Sequence, residues 1–128
     1  MTVVLDASAL LAMLLGEPGD KIVQAAIPDS TMCAVNLSEV VGHLARYGGT
    51  EADIRAILGP LPIGVVPFDD GLAYEAGLLL PLTRSAGLSL GDRACLALAR
   101  RSSTKVLTAD RAWKAIEQGA GVTIDVIR

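Results

Sequence analysis

TVVLDASALLAMLLGEPG, residues 2–19, sets a carboxylate between two apolar blocks. Four apolar or β-branched residues, Thr2 to Leu5, lead into Asp6, and eight of the nine residues from Ala7 to Leu15 are apolar. The first block reads as a short buried strand. The second has helical length, and the GEPG that follows it supplies both standard helix breakers. A charge at that boundary demands a reason, because burying a carboxylate is costly unless something bonds to it.

Working outward, strand and helix patterns alternate to the end of the chain. A helix is expected from about Asp20 to Ile27, stopped by Pro28, and Thr31 to Val35 is a second apolar run of strand length. In NLSEVVGHLARYGG, residues 36–49, the apolar positions Leu37, Val40, Val41, Leu44 and Ala45 keep helical spacing. TEADIRAILGPL (50–61) reads as a helix with a Gly-Pro stop, IGVVPF (63–68) as a strand, and DDGLAYEAGLLLPLTRSAG (69–87) as a longer helix that Pro81 kinks or ends. SLGDRACLALARRS (89–102) is a helix, KVLTAD (105–110) a strand, RAWKAIEQG (111–119) a short helix and VTIDVI (122–127) a last strand. This order predicts an α/β fold: a mainly parallel central sheet flanked by helices in three layers, one domain over residues 1–128.

Composition agrees with such a core. Hydrophobic residues make up 52% of the chain, with one Trp, two Tyr and one Phe, so the interior should be aliphatic. No stretch reaches the roughly 18–20 uninterrupted apolar residues of a membrane span. The first fifteen residues lack the basic start of a signal peptide. A soluble, cytoplasmic protein is expected. Cys33 and Cys95 have no His or Cys at ligand spacing and read as small buried hydrophobes. Net charge is −3, yet residues 84–128 hold eight basic residues against four acids, while residues 1–83 hold three against ten. The basic third could face a phosphate backbone or could be solvated helix surface.

In open parallel sheets, ligands bind beyond the carboxyl ends of the strands. That rule selects Asp6, after TVVL, and Asp110, after KVLT and Ala109. Glu39 in NLSE and Asp92 in SLGD fall in the first turns of their helices. Helix capping accounts for each acid singly. Asp6 and Asp110 are placed as N-caps, and Asn36 with Glu39 and Ser89 with Asp92 fit the spacing of a capping box. Four acids near one sheet edge would, however, repel one another and force a proton onto one or more. A divalent cation with oxygen ligands, Mg²⁺ or Mn²⁺, removes that conflict and suits phosphodiester chemistry.

VVLDASALLAMLLGE, NLSEVVGHL, LSLGDRACLALA and VLTADRAW, in this order and spacing, resemble the PIN-domain ribonucleases, most closely the VapC-type toxins of prokaryotic toxin–antitoxin pairs. The resemblance runs over essentially the whole chain. It implies that Asp6, Glu39, Asp92 and Asp110 form the acidic metal-binding quartet, with Ser8, Thr108 and Asn36 supporting it. It further implies a Mg²⁺- or Mn²⁺-dependent endoribonuclease that hydrolyses RNA with metal-activated water, a homodimer, and inhibition by a cognate VapB-type antitoxin. The apolar helices Ala7 to Leu15 and Leu37 to Leu44 are candidate walls of the antitoxin groove.

Arg93, Arg111 and Lys114 lie beside or just after proposed site acids and are candidate phosphate contacts. His43, four residues after Glu39, reads as a structural or surface residue, since the metal mechanism needs no histidine base. Two alternatives stand beside the nuclease. One is a non-catalytic RNA- or partner-binding module whose acids only cap helices. The other is a phosphoryl-transfer domain with Asp6 as nucleophile, weakened by Ala7 and Ser8 where a second acid is wanted.

Overall fold

The computed structural model describes residues 2–128. Its five strands, β1 (Val3–Leu5), β2 (Ser30–Cys33), β3 (Ile63–Val66), β4 (Lys105–Thr108) and β5 (Ile124–Val126), form one sheet in the order β3-β2-β1-β4-β5. Every pairing is parallel, so the sheet is wholly rather than mainly parallel. The helices are α1 (Ala7–Leu15), α2 (Asp20–Ala26), α3 (Ala34–Arg46), α4 (Glu51–Leu58), α5 (Asp70–Leu78), α6 (Leu80–Thr83), α7 (Leu90–Ser102) and α8 (Glu117–Ala120).

Side-chain alternation along the strands divides the interior into two layers. Val4, Val106 and Ile124 face a cluster containing Leu72 and Ala76 of α5, the buried stripe of α7, and Trp113. Val3, Leu5 and Leu107 face the opposite cluster, with Ala9, Leu10 and Ala12 of α1, Val23 of α2 and Val40 of α3. The expected three-layer arrangement is therefore present. Cys33 and Cys95 are free and buried, and burial pushes both thiols upward, which leaves them as packing groups.

Local chemistry accounts for most boundaries. Gly16 ends α1 in the left-handed conformation (φ 67°), its N–H bonding back toward Ala12 and Met13, a geometry that glycine adopts without strain. Thr50 and Asp53 form a reciprocal capping box on α4. Pro81 breaks the 69–87 segment as expected: α5 stops at Leu78 and Pro81 falls in the first turn of α6.

Several boundaries depart from the sequence reading, β3 and β5 among them, each shorter than the runs 63–68 and 122–127. The second strand runs Ser30–Cys33 instead of Thr31–Val35, because α3 starts at Ala34, two residues before NLSE. The segment after β4 is a 3₁₀ helix, Arg111–Ile116, followed by the single turn of α8. Residues Ile27–Asp29, around Pro28, are likewise 3₁₀.

Strand order fixes where a ligand can sit. The chain moves outward from β1 to β2 to β3, then crosses back to place β4 on the other side of β1. The direction of winding thus reverses between β1 and β4, and the crevice at their carboxyl ends is the topological switch point. Asp6 follows β1 and Asp110 follows β4.

Candidate functional site

Asp6 is buried at 3% exposure, and its side chain makes no capping bond to α1. Asp6 thus holds the expected N-cap position of α1, but its carboxylate does not do the capping. Its Oδ2 instead accepts from the Ser8 hydroxyl at 2.6 Å and from the Thr108 hydroxyl at 3.0 Å. Ser8 also accepts from the backbone N–H of Ala109, and Thr108 from that of Asp110. Two hydroxyls thereby stitch the end of β1 to the end of β4 through the Asp6 carboxylate.

The Asn36–Glu39 pair is not a capping box. Because α3 begins at Ala34, capped from Cys33, both residues lie inside the helix, and Glu39 is in its second turn. Asn36 is fully buried and its Nδ2 donates to Glu39 Oε1 and to the Gly91 carbonyl of α7, both at 2.9 Å. Two other caps are as expected. Ser89 and Asp92 form the reciprocal box of α7, and Asp110 Oδ1 accepts from the Ala112 N–H at 2.9 Å. Capping therefore explains Asp92 and Asp110 in part, and Asp6 and Glu39 not at all.

The acids feel one another. Burial, reinforced by the charges of Asp92 and Glu39, pushes the Asp6 carboxyl up to about 6 against the opposing Ser8 and Thr108 bonds. Glu39 is raised by desolvation, with Asp92 adding to it, and Asp92 is raised by desolvation, with Asp110 adding to it. Among the described residues none of the four carboxylates has a salt-bridge partner.

The metal-free protein should accordingly lose stability as pH rises from about 4 to about 6. In that window folded Asp6 holds a proton that the unfolded chain has released, so the raised group favours folding below its ordinary value of 3.8 and opposes it above 6. The exposed Asp69 and Glu117, both lowered by hydrogen bonds, act in the opposite sense, weakened by solvent. Chemical denaturation at pH 4.5 and pH 7 in the presence of a chelator measures the difference, and equal or greater stability at pH 7 would contradict it.

Among the described residues no group of three or more His, Cys, Asp and Glu side chains is arranged so that it could itself hold a metal ion. The donor set nevertheless fits Mg²⁺ or Mn²⁺: it is all oxygen, it includes a buried carboxylate without a cationic partner, and such ions take only one or two carboxylates beside water and phosphate.

The candidate phosphate contacts are otherwise engaged. Arg93 Nη1 donates to the Ala76 carbonyl, Arg111 Nε to the Arg128 carbonyl, and Lys114 pairs with Glu117. Arg101, Lys105 and Arg128 pair with Asp69, Asp125 and Glu17, which offsets much of the basic excess seen in the C-terminal third. The ring of His43 packs at 5.1 Å from that of Tyr47, as befits a structural residue. Gly91 was not legible as a site residue. Its only sequence signal is a glycine inside the first turn of a helix, where most residues would be better helix formers.

A wholly parallel three-layer α/β domain with mutually repelling carboxylates at its switch point defines the class of protein. The PIN domain family model matches residues 3–118, and the chain belongs to that family. No curated protein matches the chain. Among solved structures, a toxin–antitoxin complex from Klebsiella pneumoniae is similar over 98% of each chain at 17% identity, with a TM-score of 0.73. A DNA-bound VapBC from Salmonella typhimurium is similar over 100% of this chain and 99% of its own at 14% identity, TM-score 0.75. VapC20 of Mycobacterium tuberculosis, described as a toxin cleaving the sarcin–ricin loop, is 20% identical over 88% of this chain and 93% of its own, TM-score 0.70. At these identities the likeness is one of fold.

Proposed function

We propose that the chain is a metal-dependent endoribonuclease of the VapC type, the toxin of a VapBC-type pair. The observation that carries this reading is the buried Asp6 carboxylate, which makes no capping bond, pairs with no cation, and is held by two hydroxyls amid the charges of Glu39 and Asp92. Support also comes from the structural neighbours, several of which are toxin–antitoxin complexes and one of which is a toxin that cleaves the sarcin–ricin loop.

Asp6, Glu39, Asp92 and Asp110 would together form the acidic site for Mg²⁺ or Mn²⁺, one or two of them meeting the ion directly and the others through its waters. When bound, the ion supplies charge neutralisation at the phosphodiester and lowers the pKa of water for attack. Ser8 and Thr108 orient Asp6 and favour its ionised form. No nucleophilic side chain is required, and the buried thiols offer none.

An apolar groove of about 650 Å³, lined by Leu10, Leu37, Val41, Ile54, Leu58 and Ile63, suits the apolar face of an antitoxin segment. It takes in the expected α1 and α3 walls and adds α4 and β3. A second copy of the chain would dock on the face of α5, where Tyr74 and Leu78 are 77% and 76% exposed. Among the described residues no helix is long and apolar enough to cross a membrane.

A non-catalytic partner-binding module is the second reading, favoured by the caps that Asp92 and Asp110 make. Purified protein stripped with a chelator should not cleave a structured RNA, and adding back Mg²⁺ or Mn²⁺ should restore cleavage. Glu39→Gln should lose that restored activity while melting within a degree or two of wild type. No cleavage of any RNA under either condition would favour the module, whereas metal-independent cleavage would overturn the metal-dependent mechanism.

A further inference from the structure

Glu39 reaches the crevice in an unusual way. A Cβ built on Gly91 would lie 2.6 Å from both Cδ and Oε1 of Glu39, closer than non-bonded atoms approach. The carboxylate therefore occupies the volume in which any other residue would carry its side chain. Gly91 belongs to the first turn of α7, directly before Asp92. No other glycine among the described residues meets a carboxylate at such range.

The same spot is locked from the other side. Asn36, fully buried, spends one amide group on both partners, Glu39 Oε1 on its own helix and the Gly91 carbonyl across the interface. Its Oδ1 is buried with no hydrogen-bond partner. A buried amide left half-satisfied is costly, and the two bonds made by its donating half are what offset that cost.

We infer that Asn36 and Gly91 are positioning residues for Glu39: the missing side chain of Gly91 is the seat of the carboxylate, and the Asn36 amide holds it there beside Asp92. The assignment rests on the reading of the acids as a metal centre. It follows that Gly91→Ala disturbs the site while leaving all four acids in the chain. The added methyl meets the far end of a flexible side chain, so Glu39 swings aside while the helices stay put. Alanine is also the better helix former.

Mn²⁺ binding, measured by the paramagnetic resonance of the free ion, tests this on wild type, Gly91→Ala, Glu39→Ala and their double variant. Gly91→Ala should weaken Mn²⁺ binding about tenfold or more, the usual consequence of disturbing the group that orients a ligand. The melting temperature of the metal-free protein should stay the same or rise. In the Glu39→Ala background the glycine substitution should have no further effect. Asn36→Ala is expected to lower the melting temperature, since the Gly91 carbonyl loses its donor, and its effect on Mn²⁺ should likewise vanish once Glu39 is absent.

Equal Mn²⁺ affinity in wild type and Gly91→Ala overturns the inference, as does a loss of the same factor with and without Glu39. A fall in melting temperature with Gly91→Ala makes the glycine a packing requirement only. If wild type itself fails to bind Mn²⁺, the metal centre falls, and the positioning role falls with it.

Discussion

Asp6→Asn should abolish Mg²⁺-dependent RNA cleavage, by on the order of 10² to 10³-fold or more, while the metal-free variant unfolds at a higher temperature than wild type. The two halves have one cause. Asp6 is nearly sealed from water, and its carboxyl is pushed up to about 6 from an ordinary 3.8, so at neutral pH ionisation works against folding by about 3 kcal/mol. Asparagine keeps an oxygen to accept from Ser8 and Thr108 but carries no charge to be repelled by Glu39 and Asp92. Its amide nitrogen needs a partner in a crevice rich in acceptors, which trims the gain to about 1–2 kcal/mol. A residue that only capped α1 would show neither effect, because Asn caps about as well as Asp. Melting curves in chelator alongside cleavage assays in Mg²⁺ separate these cases. Retained cleavage at wild-type rate would remove Asp6 from the site.

Much of this crevice could be read from the chain, because a strand that ends on an acid and a helix that begins there leave a local mark. TVVLD and KVLTAD each carried that mark, and parallel pairing brought their ends together at the switch point. What could not be read is what the acids do with their side chains. Cap spacing is the same in NLSE and SLGD, yet only the second caps, since the start of α3 is set two residues upstream by Cys33 and Ala34 at the end of a short strand. Propensity does not resolve a shift of that size, and tertiary packing does. The partners of Arg93 and Arg111 were equally hidden, because each bonds a backbone carbonyl seventeen residues away along the chain. The seat at Gly91 depends on how α3 meets α7, a long-range contact that no local pattern encodes.

Thr108→Val isolates the support from the ligand, and it should cost both stability and activity. The two side chains have nearly the same shape, but the hydroxyl is fully buried and does three things at once. It donates to Asp6 Oδ2 at 3.0 Å, lies 3.2 Å from the Ser8 hydroxyl, and accepts from the Asp110 N–H at 3.1 Å. Valine leaves that N–H and one carboxylate bond unmade, worth about 1–3 kcal/mol of destabilisation. Removing a bond to the ionised form also raises Asp6 further, so the pH at which Mn²⁺ binding is half-complete should move upward, and cleavage at neutral pH should fall about ten- to a hundredfold. Serine at the same position restores the hydroxyl without the methyl and should recover most of the binding, whereas a purely steric role for Thr108 would make Val the milder change. In the Asp6→Asn background, Thr108→Val should add destabilisation but no further loss of cleavage, since the hydroxyl reaches the reaction only through the carboxylate it holds. An unshifted pH dependence of Mn²⁺ binding in Thr108→Val would mean that the stitch between β1 and β4 serves the fold alone.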